Sequence, residues 1–301
     1  MLLSDITRRL VSSGVDPSDA RGEALLLAER FAGVPRASLL ADPGRVLDSP
    51  ALAEAVDRRC AREPLQYILG EWEFCGLPIR VDPRCLIPRP DTEILAERAA
   101  ALLPPGGRFL DLCTGSGCVA AALCALTADR HTSGYAVELD PDTADLAREN
   151  LAALGFADRC PVLTADVRDD PTALLGGKYD VIAANPPYVT AAEMDALAPE
   201  LAFEPRGALT DGGDGLSLIA AIVRGYKPLL AEDGTMLIEH GWQQADAVRK
   251  IAESEGMTCA SLKDYGGNDR VAEMRRGTNG GIKNDELWER RGCPMCGDMR
   301  Y

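Results

Sequence analysis

The segment AANPPYVT at residues 183–190 places an amide, two prolines and an aromatic ring directly after an apolar run. A planar NH2 group is a poor nucleophile because its nitrogen lone pair is delocalised. Two acceptors that grip both N–H hydrogens would hold that lone pair towards an electrophile. The side-chain oxygen of Asn185 and the backbone carbonyl of Pro186 can be these acceptors, since consecutive prolines fix the direction of that carbonyl. With Tyr188 as a flat face beside Pro187, the segment predicts a clamp for a planar NH2 group.

A glycine-containing loop lies between an apolar run and an alanine-rich segment in DLCTGSGCVAAAL, residues 111–123. Gly115 and Gly117 allow a tight turn and leave room for a ligand to approach the start of the next helix. Glu138 ends the next predicted strand, where a carboxylate can accept hydrogen bonds from both hydroxyls of a ribose. The loop and this carboxylate predict a site for a ribose-containing cofactor.

Two cofactor classes fit these residues. The run from Gly115 to Ala120 satisfies the dinucleotide pattern with alanine in its last position, so a nicotinamide enzyme stays open. Asp111 precedes the loop, however, and a carboxylate there suits a cationic ligand such as S-adenosylmethionine, which carries an ammonium, a sulfonium and a ribose. Asp166 is a third acidic residue at a predicted strand end, after Asp111 and Glu138. Because open α/β sheets bind ligands at the carboxyl ends of their strands, the three acids predict one crevice.

The elements that must position these residues follow from the hydrophobic pattern. Residues 1–70 carry apolar residues at helical spacing, which predicts a small helical domain. Residues 71–90 alternate apolar residues with Gly76 and several prolines, which predicts a β-hairpin linker. Over residues 91–277, short apolar runs alternate with helical or loop segments, which predicts an α/β domain with a parallel, doubly wound sheet. The predicted strands are FLDLC, YAVEL, CPVLTAD, YDVIAAN and TMLIEHG, with TCASLKDYG and DRVAEMRR as a closing pair.

A helix is predicted to start where the linker ends, within LIPRPDTE. Asp91 and Thr92 are both residue types that cap helix N-termini, so one of them is expected to be the cap. Glu93 would then lie in the first turn, where a carboxylate favours the helix dipole.

Composition limits the function classes. The chain has 301 residues, 46% of them hydrophobic, which is enough for one large domain and a smaller one. Its formal net charge of −15 repels a polyanion, so a direct nucleic-acid substrate is disfavoured. Without a long apolar run or a secretory signal, we expect a cytoplasmic protein with no membrane association, in which eight scattered cysteines stay reduced.

Several further motifs point to one family. They comprise EPLQYILGEWEFCGLPIRV at 63–81, LIPRPDTE at 86–93, FEPRGAL at 203–209, GGDGL at 212–216, LIEHGWQQ at 237–244 and NDRV at 268–271. With these motifs the chain resembles the HemK/PrmC family over residues 1–277. Members of that family are S-adenosylmethionine-dependent methyltransferases that modify the glutamine side-chain nitrogen in the Gly-Gly-Gln motif of class I peptide chain release factors. Asn-Pro-Pro-Tyr alone does not select the family, because methyltransferases acting on DNA adenine and ribosomal RNA guanine share closely similar motifs.

The resemblance implies a Rossmann-like class I methyltransferase sheet, a helical N-terminal domain that contacts the release factor and a β-hairpin linker. It implies S-adenosylmethionine as donor and class I release factors as partners, and we expect a monomer that needs no metal. The residues expected at the donor are Asp111, Thr114, Gly115, Ser116, Gly117, Glu138, Asp166, Val167 and Asn185. The residues expected at the acceptor glutamine are Asn185, Pro186, Pro187 and Tyr188, of which Asn185, Pro186 and Tyr188 are predicted to be catalytic.

The sequence departs from the family pattern at three places. Cys113 stands where the family often has the first glycine of the loop, which would tighten or shift the turn. Val167 stands where an aromatic ring can cover the adenine. In the tail, residues 278–301, Cys293 and Cys296 have the spacing of half a zinc site or of a redox pair, but no second pair accompanies them, so we expect a flexible terminus.

Other functions stay open at this point. A nucleic-acid methyltransferase would use the same clamp, although the net charge and the linker motifs count against it. A nicotinamide oxidoreductase would leave Asn-Pro-Pro-Tyr unexplained. A non-catalytic module that docks on translation factors is a third alternative.

Overall fold

The computed structural model describes residues 1–173, 175–196 and 198–277. Residues 1–70 are helical, and two of the helices have side-chain N-caps. The Asp16 carboxylate accepts a hydrogen bond from the backbone N–H of Ser18, and the Ser49 hydroxyl accepts one from Leu52. The helices pack around an apolar core of their own, which includes Leu27. They are α1 (Leu3–Ser12), α2 (Pro17–Ala32), α3 (Arg36–Ala41), α4 (Pro50–Cys60) and α5 (Leu65–Leu69).

A β-hairpin follows the helices, formed by β1 (Glu71–Phe74) and β2 (Leu77–Arg80). Its two turn residues, Cys75 and Gly76, both have positive φ, as a type I′ turn requires. The backbone N–H of Cys75 donates to the carboxylate of Glu93 at 2.8 Å, which ties the turn to the next helix.

The remaining described residues build a seven-stranded sheet in the order β5-β4-β3-β6-β7-β9-β8. Strands β3 to β7 are parallel, and β9 runs antiparallel to both β7 and β8. The predicted α/β fold is therefore confirmed, including the closing strand pair. The helices and strands are α6 (Pro90–Leu102), β3 (Arg108–Leu112), α7 (Cys118–Leu126), β4 (Ser133–Glu138), α8 (Pro141–Ala153), β5 (Val162–Thr164), β6 (Tyr179–Ala184), α9 (Arg206–Leu209), α10 (Ser217–Tyr226), β7 (Leu230–Glu239), α11 (Ala245–Ser254), β8 (Met257–Lys263) and β9 (Asp269–Arg276).

Both faces of the sheet are covered, which explains why its strands read as continuous apolar runs. On β3, Phe109 packs into the apolar cluster on one face, while Leu110 and Leu112 pack into the cluster on the other. The register pairs Leu112 with Val137 of β4 and with Ala184 of β6. The parallel strands therefore end side by side, and the segments that follow them emerge at one edge.

The expected cap of α6 is wrong. Arg89 is the N-cap residue and makes no side-chain cap bond, while Asp91 and Thr92 lie inside the first turn. Pro90 supplies the helical φ that starts the helix without a cap. The hydroxyl of Thr92 is instead used in a buried contact with another element.

Asn150 of α8 joins three parts of the chain. Its side-chain oxygen accepts from the backbone N–H of Arg80 at 2.9 Å, and its amide nitrogen donates to the carbonyls of Arg80 at 3.0 Å and Ser116 at 2.8 Å. The side chain is buried. It therefore links the hairpin to the glycine-containing loop, a contact that no local pattern indicates.

Replacing Asn150 by alanine should lower the free energy of unfolding by about 1–3 kcal/mol, because it leaves partly buried backbone groups of Arg80 and Ser116 without partners. Urea titration measures this change. Asp145→Ala, an exposed position on the same helix, is the matched control and should change the free energy by less than about 0.5 kcal/mol. Equal effects of the two variants would contradict the bridging role of Asn150.

Candidate active site

Two cavities meet at the carboxyl edge of the sheet. The strand-end cavity, about 750 Å³, is lined by the glycine-containing loop, by Glu138 and by the segment around Val167. The interdomain cavity, about 510 Å³, lies between the N-terminal helices and the Asn-Pro-Pro-Tyr segment. Asn185 lines both cavities. A group bound in one cavity and a group bound in the other would therefore meet at this side chain.

Asp111 fixes the loop to the helix that follows it. Its carboxylate accepts from the hydroxyl of Thr114 and, at 3.0 Å, from the backbone N–H of Ala120 in α7. Burial raises the pKa of Asp111 to about 7, outweighing these two hydrogen bonds, and the nearby charge of Glu138 adds to the rise. The side chain predicted to meet a cationic ligand thus lines the strand-end cavity while also holding the loop in place.

The turn of the loop uses three residues with positive φ, namely Cys113 at 58°, Gly115 at 56° and Gly117 at 80°. This left-handed conformation is unfavourable for Cys113 by about 1–2 kcal/mol relative to glycine, which has no Cβ. Glycine also avoids a tight contact at position 117, since a Cβ there would lie 3.3 Å from the Cβ of Ala147 in α8. The departure at Cys113 therefore keeps the turn at the expense of backbone strain. Ser116, between the two glycines, also lines the cavity.

Glu138 is held by three backbone donors. Its carboxylate accepts from the N–H groups of Gly115 at 2.9 Å, Leu139 at 2.9 Å and Asp140 at 3.1 Å. Burial raises the pKa of Glu138 above its ordinary value, and these hydrogen bonds oppose the rise. Because a carboxylate offers about four acceptor positions, capacity remains for a ligand hydroxyl.

Asp166 and Val167 lie on the strand-end cavity, as predicted, but the Asp166 carboxylate is engaged by a neighbour. The guanidinium of Arg168 forms an ion pair with it at 2.6 Å, and the backbone N–H of Arg168 donates at 2.9 Å. These contacts hold the pKa of Asp166 below its ordinary value. A ligand donor must therefore share this carboxylate with Arg168. Val167 is buried and gives the cavity an apolar wall.

The Asn-Pro-Pro-Tyr segment follows β6 and is held by a buried carboxylate that sequence reasoning missed. The Asn185 Nδ2 donates to Thr92 Oγ1 at 3.1 Å, and Thr92 Oγ1 donates to Glu239 Oε2 at 2.7 Å. The Tyr188 hydroxyl donates to Glu239 Oε1 at 3.1 Å. Pro186 lines the interdomain cavity and Pro187 the strand-end cavity. The signal available in the sequence was that Glu239, like Glu138, ends a predicted strand.

Ion pairs connect the N-terminal helices to the segment that follows the clamp. The guanidinium of Arg59 pairs with Glu23 at 2.7 Å and with Glu200 at 3.1 Å, and Arg62 reaches Glu200 at 2.6 Å. The Arg59 side chain is only 7% exposed. These contacts line the interdomain cavity and join segments that are far apart in the sequence, so residue spacing does not reveal them.

Comparison with known proteins places this arrangement in a family. The model of the PrmC N-terminal domain matches residues 1–70, and that of the methyltransferase small domain matches residues 90–237. The release factor glutamine methyltransferase of Vibrio cholerae serotype O1 is 39% identical over 280 residues, which cover 89% of this chain and 93% of the relative. That of Cereibacter sphaeroides is 41% identical over 271 residues, covering 89% and 94%. The chain belongs to the release factor glutamine methyltransferase family.

Membership of this family confirms the resemblance found from the motifs and makes the chain a methyltransferase. A solved methyltransferase from Pyrococcus furiosus has the same fold, with a TM-score of 0.50 at 16% identity, covering 67% of this chain and 90% of that one. Within the described ranges, no three His, Cys, Asp or Glu side chains are grouped to hold a metal, and no helix is long and apolar enough to span a membrane. Cys293 and Cys296 lie outside those ranges.

The family motif GGDGL packs against the clamp. A Cβ on Gly215 would lie 2.0 Å from the carbonyl oxygen of Tyr188, and Gly215 has a φ of 72°. The same carbonyl accepts from the Gln244 amide nitrogen at 3.0 Å. The backbone of the clamp is thus fixed from its outer side by a position where only glycine fits.

Gly215→Ala should therefore destabilise the protein by about 1–3 kcal/mol, because the added methyl group forces the Tyr188 carbonyl to move. The measurement is the free energy of unfolding from urea titration. Gly213→Ala is the control in the same loop, since a Cβ there meets only an Asp211 carboxylate oxygen at 3.5 Å and its φ is not positive. If Gly213→Ala were the more destabilising variant, the close approach at Gly215 would not be the constraint.

Proposed function

We propose that this protein transfers the methyl group of S-adenosylmethionine to the side-chain amide nitrogen of the glutamine in the Gly-Gly-Gln motif of class I peptide chain release factors. The observation that carries the proposal is the position of Asn185 between the strand-end and interdomain cavities. The names of the relatives, which are similar over nearly their whole length, support the same acceptor.

The residues of the strand-end cavity fit the donor. When bound, S-adenosylmethionine supplies an electrophilic methyl group on a sulfonium. Glu138 retains acceptor capacity for a ribose hydroxyl, and Val167 offers an apolar surface for the adenine. Asp111 has a pKa of about 7, so an ammonium group nearby favours its ionised form. The loop residues Thr114, Gly115 and Ser116 line the same cavity, and because Gly115 has no Cβ, a ligand can approach the backbone there.

The clamp fits the acceptor amide. Asn185 Nδ2 donates to Thr92, so the side-chain oxygen of Asn185 is the atom left to accept an N–H hydrogen of the glutamine. The carbonyl of Pro186 accepts the other hydrogen, and the Tyr188 ring lies against the planar amide. Two acceptors on one nitrogen orient its lone pair towards the donor and stabilise the positive charge that develops during attack. No strong base is needed beforehand, because the extra proton becomes acidic once the methyl group has moved.

The base-directed methyltransferases are the nearest alternative, since they use a similar clamp. A net charge of −15 disfavours their polyanionic substrates, and the curated relatives named here are release factor enzymes.

A monomeric, cytoplasmic enzyme remains our prediction for the state in which the protein acts.

Asn185→Ala should lower the rate of methyl transfer by at least about 100-fold, because one of two charge-stabilising acceptors is lost. The assay uses labelled S-adenosylmethionine with an intact class I release factor, the same factor with its Gly-Gly-Gln glutamine replaced, and duplex DNA. Label is expected on the intact factor alone. Calorimetry should show donor affinity nearly unchanged in the variant.

Two outcomes would contradict the proposal in different ways. Label on DNA, or equal label on the factor whose glutamine is replaced, would overturn the acceptor assignment. Loss of donor binding in the Asn185 variant would overturn the division between donor and acceptor residues.

Glu138→Ala should weaken donor binding by about 10- to 100-fold, the value of a hydrogen bond to a charged group, with a smaller effect on the rate at saturating donor. Calorimetric titration with S-adenosylmethionine measures the affinity. Glu138→Gln keeps one acceptor oxygen, so its donor affinity should lie between those of Glu138→Ala and the unsubstituted protein. An unchanged affinity in Glu138→Ala would show that this carboxylate serves only the loop backbone.

A further inference from the structure

We propose that Thr92 and Glu239 are positioning residues that set the orientation of the Asn185 amide and the place of the Tyr188 ring. The inference rests on the proposed function, because it concerns how the same clamp is held. It assigns a role to the buried end of β7 and the first turn of α6, which the transfer chemistry itself does not use.

The direction of the hydrogen bonds decides the orientation of the amide. An ionised carboxylate can only accept, so the hydroxyl hydrogen of Thr92 must point to Glu239 Oε2, 2.7 Å away. The Thr92 oxygen then presents lone pairs to Asn185, which has to turn its NH2 group towards it, at 3.1 Å. The Asn185 oxygen is left facing the cavities. In the flipped amide, an NH2 group would meet the acceptor's own NH2 group and repel it.

One carboxylate holds both halves of the clamp. Glu239 Oε1 accepts from the hydroxyl of Tyr188 at 3.1 Å, while Oε2 holds Thr92. Both Glu239 and Thr92 are almost fully buried, at 1% and 2% exposure. Water therefore does not replace the hydrogen bonds that Glu239 accepts from Thr92 and Tyr188. Loss of either Glu239 or Thr92 should disturb the clamp.

The groups that face Glu239 set its charge. They are Thr92 and Asp91 of α6, Tyr188 after β6 and Arg270 of β9. Burial raises the pKa of Glu239 to about 7, and Asp91 adds to the rise. The hydrogen bonds from Thr92 and Tyr188 and the positive charge of Arg270 oppose it.

Protonation of Glu239 reverses the chain of hydrogen bonds. A protonated Oε2 can donate to Thr92, whose hydroxyl hydrogen is then free to point at Asn185 and to stabilise the flipped amide. The orientation that accepts from substrate is therefore present above the pKa of Glu239 and is lost as the pH falls through it. The rate of transfer at saturating donor should decline on the acid side with an apparent pKa near 7.

The first test compares Thr92→Val with Thr92→Ser. Valine removes the hydroxyl at nearly constant shape and should lower kcat by about 10- to 100-fold, because the clamp is misaligned. Donor affinity should change little, since Thr92 lines the strand-end cavity but is almost fully buried, and valine keeps its shape. Serine restores the hydroxyl and should recover most of kcat. Equal kcat values for Thr92→Val and the unsubstituted protein would overturn the inference while leaving the proposed function standing.

The second test is the pH profile of Glu239→Gln. Glutamine cannot accept at both ends, so kcat should fall and the acid limb near pH 7 should disappear. Saturating donor removes the contribution of Asp111, whose pKa is also about 7, to donor binding. The matched control is Glu273→Gln, a buried ion-paired carboxylate on β9 whose loss should leave the limb in place. A limb retained in Glu239→Gln would overturn the inference. Absence of label on any release factor by the unsubstituted protein would instead overturn the proposed function.

Discussion

Parallel pairing of β3 with β4 and β6 is the constraint on which the rest of the site depends. Because the register places Leu112 beside Val137 and Ala184, the segments that follow these strands are brought to one edge. The glycine-containing loop, Glu138 and Asn185 then become neighbours without any direct bond that joins all three. Local chemistry adjusts this arrangement, but the hydrogen-bonded sheet determines which residues are able to meet.

Two carboxylates beside the cavities are buried, which is unfavourable for a charged group. Asp111 and Glu239 are both almost fully shielded from water, and burial raises the pKa of each to about 7. Each is held by two hydrogen bonds from the protein, which offset part of the desolvation free energy. A buried carboxylate lowers the free energy of unfolding, and each of these two fixes a segment that lines a cavity.

The sequence predicted those parts of the structure that depend on local patterns. Apolar runs predict the strands, and turn residues predict the hairpin. Polar residues at strand ends, such as Glu138 and Asn185, predict the edge of the sheet at which the cavities lie. Contacts between distant segments were not predictable. The bond from Thr92 to Glu239 spans 147 positions and that from Arg59 to Glu200 spans 141, and no periodicity encodes such partners. The local context of Asp91 and Thr92 favours a helix cap, yet the Thr92 hydroxyl donates to the carboxylate of Glu239 at the end of β7.

The ion pairs of Arg59 and Arg62 with Glu200 have a consequence for the organisation of the chain. The N-terminal helices supply Glu23, Arg59 and Leu65 to the wall of the interdomain cavity, so they are part of its boundary. The methyltransferase sheet does not enclose this cavity by itself. Removing the first 70 residues would open the cavity to solvent and leave Glu200 without either arginine. Truncation of these helices would therefore change the wall of the interdomain cavity as well as remove the helical domain.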